Sequence, residues 1–335
     1  MTATVPESGQ RTRHRTPVRL AALSPRNIGA IYVWLVLIVI FAIWIPDLFL
    51  TQTTFRRVLN EYAITGIAAL SVVLPLAAGV FDLSVGSTIG VSGIVAGWVL
   101  VHTSWPPAIA VLCALGTGLL VGLLNSVVVV LLRIDSFIGT LATGAIIAAV
   151  TLGVANDQIL TGRTGGPFAK LATENWHGIQ LPVIYMLVLM LVIGFLLEKT
   201  VFGRFVYATG YNADVTTLVG VSVARVRVIT LMFSGTMAAL AGVALTARVE
   251  AADPSNGPSY LIPAFSAAFL GATQFRHGRF NPWGTVVSVL LLGTGSIGLL
   301  LTGAPQWAPQ IFQGAVLIAA VSLAVVQGRR RVKKT

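Results

Sequence analysis

Asp82 is the one acidic residue set inside an apolar stretch, Leu74-Pro-Leu-Ala-Ala-Gly-Val-Phe-Asp-Leu-Ser-Val-Gly86, whereas Asp47, Glu61 and Asp135 fall at expected helix ends. A charged side chain at bilayer depth costs about 2.5 to 3.5 kcal/mol on insertion scales, so it calls for a partner or a task. Three readings stand side by side. Asp82-Leu-Ser84 can cap a helix running from Val85, with the carboxylate accepting backbone N–H groups and favouring the helix dipole. It can take a direct part in the movement of a solute or a gate, or it can belong to a surface turn. The other groups suited to recognition are neutral: Ser84, Asn125, Thr140, Thr143 and Ser266 offer hydroxyl and amide hydrogen bonds that suit a hydroxylated ligand. Each can equally bond to a carbonyl of its own helix. No Arg or Lys is embedded with them, which disfavours an anionic ligand.

Covalent chemistry has little to work with. His14, His102, His177 and His277 are scattered, no two at the spacing of a metal site, and Cys113, the single cysteine, sits in an apolar run as a small packing residue. No metal and no cofactor are expected. Gly293-Thr-Gly-Ser-Ile-Gly298 matches G-x-G-x-x-G, but that pattern binds a dinucleotide only between a strand and a helix. Here it falls in the middle of an apolar run, where close helix packing accounts for the glycines. The sequence has no phosphate-binding G-x-x-x-x-G-K-[ST] run, no H-E-x-x-H and no G-x-S-x-G, so any ATP would be hydrolysed on another chain. With no carboxylate pair, histidine cluster or nucleophile constellation, an enzyme is disfavoured.

These residues must be positioned by elements that live in lipid. Of 335 residues 56% are hydrophobic and 10% charged, with a mean hydropathy of +0.87. A soluble domain carries about a quarter charged residues, so this surface meets something other than water. A bilayer core about 30 Å thick needs roughly 20 apolar helical residues. By that measure ten segments stand out, near 30–50, 61–80, 86–103, 107–132, 136–156, 181–198, 226–247, 260–275, 282–302 and 309–326. The expected fold is an all-α membrane protein of about ten transmembrane helices. The first run is too long for a signal-peptide core and reads as a retained helix. Glycines in Gly86-Ser-Thr-Ile-Gly90 and Gly118-Leu-Leu-Val-Gly122 suit close helix contact.

Orientation follows from the basic residues, because Lys/Arg-rich loops resist translocation. With both ends inside, 17 of the 22 lie on the inner side, leaving Arg56, Arg57, Arg163, Lys170 and Arg248 outside. The net charge of +11 is thereby explained by membrane orientation, and no nucleic acid is expected. The chain divides into a basic cytoplasmic tail at 1–28, a membrane domain at 29–327 and a second basic tail at 328–335.

Two stretches are not ordinary spans. Residues 74–86 hold a proline, a glycine and the carboxylate, and residues 261–271 are short and contain Pro263. Interrupted helices of this kind mark a solute path, or they are kinks and tight turns at the surface. Between Glu198 and Arg227, in the longest inner loop, Asn212 can cap a short helix over Ala213 to Leu218 that Gly220 can end. That helix reads as a solvated linker or as a docking element.

At this point the sequence resembles the permease subunits of bacterial ATP-binding-cassette importers for monosaccharides, the ribose-type branch, over about residues 30–326. Leu74 to Ser87 is similar to the family's G-G-I-D-L-S-V-G-S. Val201-Phe-Gly-Arg-Phe-Val-Tyr-Ala-Thr-Gly-Tyr-Asn-Ala213 with Gly220-Val221 is similar to its G-R-x-x-x-A-x-G-x-N-x-x-A…S-G-I loop, and Ser234-Gly-Thr-Met-Ala-Ala-Leu-Ala-Gly242 to its S-G-x-x-A-A-L-A-G. The resemblance implies that a cytoplasmic coupling loop, 199–225, docks on the ATPase, with Gly203, Arg204, Ala208, Gly210, Asn212 and Gly220 in the coupling region. It puts Asp82, Ser84, Gly86 and Ser87 in a segment that shapes the path or gate. It also implies two copies of an ATP-binding-cassette nucleotide-binding domain, an extracytoplasmic sugar-binding protein and a second permease copy, identical or not, in a bacterial cytoplasmic membrane. The cargo would be a pentose, hexose or similar polyol. Where relatives carry G-G-T-S-L-x-G-G near the eighth span, this chain has a basic, aromatic stretch, Phe275-Arg-His-Gly-Arg-Phe-Asn-Pro-Trp-Gly284, which implies a divergent branch. The competing expectation is a proton- or sodium-coupled secondary carrier working without an ATPase, for which Asp82 is the one acidic group at depth.

Overall fold

A computed structural model describes residues 29–275 and 278–332, with side chains as far as Ser322. The expectations for the 1–28 tail, Arg276 and the last residues of the chain lie outside what it describes. In lipid each backbone N–H and C=O must be satisfied within the segment, and the chain answers with helices. In order these are α1 (Gly29–Trp44), α2 (Pro46–Phe49), α3 (Gln52–Ala77), α4 (Val85–His102), α5 (Pro107–Ser126), α6 (Ser136–Ala155), α7 (Lys170–Thr173), α8 (Leu181–Lys199), α9 (Val201–Tyr211), α10 (Ala213–Leu218), α11 (Val223–Val249), α12 (Leu261–Ala272), α13 (Pro282–Leu301) and α14 (Ala308–Val332). A π-helical turn, Val127–Leu131, continues α5.

Local sequence chemistry sets most boundaries. Pro46, Pro107, Pro182 and Pro282 stand in the first turn of their helices, where a missing N–H is no loss. Side chains of Thr51, Asp135, Thr200, Asn212, Ser222 and Asn281 accept the first free N–H groups of the helices they precede. The Thr51 cap explains why α3 starts well before the apolar run at residue 61: polar Arg56, Arg57 and Glu61 ride on its first turns, the last two paired at 2.7 Å. Pro46 divides the expected 30–50 segment into α1 and α2.

Each of the ten apolar segments is helical, but they are not equal. Among the described residues seven helices are long and apolar enough to cross a membrane: α3, α4, α5 with its π-turn, α6, α8, α11 and α13. α1 and the apolar part of α14, Ala308–Ser322, are shorter. α12 has 12 residues, about 18 Å of helix, and does not by itself cross a core of about 30 Å. What precedes it is non-helical. The chain leaves α11 at Glu250 with a left-handed φ of 58°, bridges Ala252 to Leu160, and makes a 3-10 turn at Gly257–Tyr260. Gly257 and Pro258 lie against the backbone of Gly86 and Gly90 on α4, so this irregular stretch is covered by protein and not by lipid. A small hairpin that the apolar pattern did not foreshadow, β1 (Asn175–Trp176) and β2 (Ile179–Gln180), turns through His177 and Gly178, both at positive φ.

α11 is the central helix, packing on α5, α4 and α3, while α13 packs on α12, α3 and α14. Small residues make this possible. The carbonyl of Gly118 on α5 sits where a Cβ at Gly235 of α11 would stand, and Gly122 abuts the backbone of Leu231 and Met232. The outward faces of α5, α6 and α8 carry exposed Leu120, Ile146 and Phe195, as a lipid-facing surface does. Replacing Gly235 by Val is expected to lower stability by at least about 2 kcal/mol through overpacking. Gly153→Val, with no atom within 4 Å of its Cβ position, should leave stability unchanged. Unfolding titrations in detergent compare the two.

Candidate functional site

The interruption between α3 and α4 begins with Pro75, which lacks the N–H that would continue the α3 ladder. Gly79, at φ 74°, turns the chain, with its N–H bonded to Leu76 O and that of Val80 to Pro75 O. Beyond it the backbone is held by hydroxyls from the start of α6. Ser136 Oγ accepts from Phe81 N at 3.1 Å, and Thr140 Oγ1 accepts from Leu83 N at 2.9 Å. Thr140 was expected as a lining residue; here it replaces the missing helical partners of an irregular segment.

Asp82 is fully buried. Its Oδ1 accepts from Ser84 N at 3.2 Å, Ser84 Oγ at 2.7 Å and Asn125 Nδ2 at 3.2 Å, and its Oδ2 accepts from Ser234 Oγ at 2.7 Å. Asn125 Nδ2 also donates to Ser84 Oγ at 2.7 Å, and Asn125 Oδ1 accepts from Thr143 Oγ1. Four helices, α4, α5, α6 and α11, are thus joined at one carboxylate. The capping reading needs correction. The residue flanking α4 is Ser84, in helical conformation and with no side-chain cap bond. Asp82 stands two residues earlier and takes only that one nearby N–H, because the turn aims its carboxylate inward, at Asn125 and Ser234. No cation neutralises it: among the described residues the salt bridge present is Arg57–Glu61. Groups that are themselves neutral surround it.

The other expected residues distribute as follows. Ser84, Asn125, Thr140 and Thr143 are all buried around Asp82. Ser87 lies one turn along α4, beside Gly144 of α6, and is partly exposed. Ser266 does not join them. It donates to Ile262 O at 2.7 Å within α12 and to Gln313 O at 3.3 Å on α14. Ser234 was not singled out as a site residue. Its signal was its place at the head of the Ser-Gly stretch, but nothing along an apolar helix says which residue faces a distant carboxylate. The G-x-G-x-x-G match lies inside α13, where Gly293, Gly295 and Gly298 face the rings of Tyr62, Phe312 and Phe41. Among the described residues no group of three His, Cys, Asp or Glu side chains could hold a metal ion.

The loop after α8 takes the expected form. α10 spans Ala213–Leu218; Asn212 Oδ1 accepts from Val215 N at 3.0 Å, and Gly220, at φ 84°, follows its end. Gly203 is buried under the carbonyls of Leu196 and Leu197, whereas Arg204, Ala208, Gly210, Asn212 and Gly220 are exposed. Tyr211, Leu218 and Val219 are 90, 85 and 73% exposed, an apolar ridge around a helix of six residues.

The family described as "Branched-chain amino acid transport system / permease component" matches residues 54–321. Over 290 residues the chain is 32% identical to the ribose import permease protein RbsC of Bacillus subtilis, covering 86% of this chain and 89% of that one. It is 30% identical over 298 residues to the L-arabinose ABC transporter permease protein AraH of Azospirillum brasilense, covering 88% and 86%. It is 29% identical over 308 residues to the fructose import permease protein FrcC of Rhizobium meliloti, covering 90% and 85%.

Asp82→Asn keeps the shape of the side chain but replaces one acceptor oxygen by an amide donor that then faces donors. A double-mutant cycle with Ser234→Ala, read by unfolding in detergent micelles, is expected to give a coupling of about 0.5 to 3 kcal/mol, the range for one hydrogen bond. Additive effects would mean that the two side chains do not act together.

Proposed function

The chain belongs to the branched-chain amino acid transport system permease-component family, a multi-pass inner-membrane permease and not an enzyme, and from that premise we propose that it carries a monosaccharide through an ATP-driven importer. The cargo is a pentose, a hexose or a similar polyol. The family description names branched-chain amino acids, but the relatives that match along most of the chain are named for ribose, arabinose and fructose. The buried polar residues favour the same choice: they are Ser, Thr, Asn, Gln and Asp82, with no Lys or Arg to meet the carboxylate of an amino acid. A hydroxylated, neutral molecule asks for groups of this kind.

The observation that carries the reading is the exposed, capped α10 in a chain with no phosphate-binding loop of its own. Tyr211, Leu218 and Val219 are apolar groups left open to water beside Arg204 and Asn212. Such a ridge suits a docking surface, and the partner that an ATP-driven importer lacks here is its ATPase. The 199–225 loop is accordingly the coupling element, with Gly203, Arg204, Ala208, Gly210, Asn212 and Gly220 shaping it. Two nucleotide-binding domains, a second permease copy and an extracytoplasmic sugar-binding protein complete the assembly. Both termini are cytoplasmic, the basic 1–28 and 328–335 tails flanking the 29–327 membrane domain. Asp82, Ser84, Ser87, Asn125, Thr140 and Thr143 border the path or its gate, with Ser266 on a separate helix pair.

A self-sufficient carrier would need a group at depth that exchanges an ion. The relative named as an L-arabinose ABC transporter permease favours the ATP-driven reading over that one.

Reconstituted alone in proteoliposomes, the chain is expected to take up no labelled ribose, arabinose or fructose. With its ATPase and binding protein it should accumulate one of them on adding ATP. Asn212→Ala, which removes the α10 cap, should leave membrane insertion intact while lowering import per ATP hydrolysed about tenfold. Uptake by the chain alone would restore the carrier reading.

A further inference from the structure

α9 touches both interrupted segments at once. At its C-terminal end the backbone of Gly210 lies against the carbonyl of Ala77 and the backbone of Gly79, at a range that leaves no room for a Cβ. One turn earlier Tyr207 donates its hydroxyl to the carbonyl of Phe280 at 2.8 Å, and the guanidinium of Arg279 lies 5.4 Å from the centre of the Tyr207 ring. Phe280 belongs to the turn that joins α12 to α13. The same two segments are in contact on their far side through aromatic rings. Phe280 meets Phe269 of α12 edge-on at 5.3 Å, and Phe269 stacks on Phe81 at 6.4 Å between ring centres. The path therefore closes on itself: α9, Phe280, Phe269 of α12, Phe81, the 78–84 segment and α9 again.

Such a ring has a mechanical consequence. α9 is continuous with the docking helix through a single residue, Asn212, so a displacement of the loop moves Gly210 and Tyr207 together. Gly210 offers the 78–84 segment backbone contact, whereas the hold on the second segment includes a directed hydrogen bond from Tyr207 with a cation above its ring. Two polar atoms close to this joint are buried without a partner among the described residues, Thr209 Oγ1 on α9 and Gln274 Oε1 just after α12. Buried groups are nearly always paired, and a second arrangement of the joint would give these two the partners they lack here.

We propose that Tyr207 is the positioning residue that makes the short helix α12 follow the coupling loop, so that both interrupted segments shift as one body. The proposal rests on the ATP-driven reading of the loop and identifies how movement there leaves it. Tyr207→Phe keeps the ring over which Arg279 lies and removes the hydroxyl; Tyr207→Ala removes both.

The test uses the full complex with its ATPase in lipid nanodiscs, in a Cys113→Ala background. Nitroxide pairs are placed at Val219 and Leu112, to follow the loop, and at Ile262 and Leu112, to follow α12. All three positions are exposed. Distances are measured by pulsed electron resonance without nucleotide and after trapping with ATP and vanadate. In the unmutated complex both pairs are expected to shift. With Tyr207→Phe the loop pair should shift as before, while the α12 population that shifts falls about three- to tenfold, the factor carried by one neutral hydrogen bond. With Tyr207→Ala the α12 shift should vanish while the loop pair still shifts and ATPase binding is unchanged.

An α12 shift retained in Tyr207→Ala overturns the proposal. So does loss of both shifts with a lowered melting temperature, which is the mark of a merely structural residue. If the unmutated chain binds no ATPase and neither pair shifts, the functional reading itself falls and takes the proposal with it.

Discussion

Most polar groups that this chain takes out of water find partners inside the protein, and the requirement is heaviest at the carboxyl group of Asp82. A buried carboxyl group with no cation beside it stays only if hydrogen-bonding partners surround it. Those partners come from Ser84 two residues on, from Asn125 on α5 and from Ser234 on α11, so that meeting one local demand fixes the relative placement of distant helices. Thr143 extends the network to α6 by donating to the Asn125 carbonyl oxygen. Four helices that share only apolar surfaces could slide past one another in lipid. A directed network gives them a register.

The same rule governs the two places where the helices break. Unpaired backbone at membrane depth is tolerated where protein covers it. Residues 78–84 are served by Ser136 and Thr140, and the stretch that leads into α12 lies on the glycines of α4. These irregular stretches are neighbours, and the ring contacts between Phe81 and Phe269 join the segments they open. A permease needs segments that can move without tearing a helix ladder. Backbone held by side-chain hydroxyls and by van der Waals contact changes partners more readily than one locked in an i to i−4 ladder.

Some of this was legible beforehand and some was not. The bounds of the short helix Ala213–Leu218 were legible to the residue, because a cap at Asn212 and a glycine at Gly220 act over a few positions. The dinucleotide-like glycines were assigned to packing on context alone, and α13 runs straight through them. Of the polar residues grouped as lining candidates, Ser84, Asn125 and Thr143 join a hydrogen-bonded network around Asp82, while Thr140 bonds the backbone of Leu83 instead. Ser266 was grouped with them by composition and lies elsewhere, bonded within its own helix and to α14. Ser234 and Tyr207 went unremarked as site residues, the first because its partner is 152 positions away. The capping role given to Asp82 assumed that a carboxylate serves its own helix; the turn directs it to others.

What the sequence determined by itself was what depends on neighbours along the chain: the apolar lengths that make helices, and the prolines and caps that bound them. What only the tertiary structure decided was which faces meet. Most of these helices are apolar nearly all round, so no polar stripe marks an inner side, as it does in a water-soluble bundle. The meeting faces are chosen instead by where glycines permit close approach, as between Gly118 and Gly235, and by where a lone carboxylate finds donors, and both are properties of pairs of residues far apart in the chain.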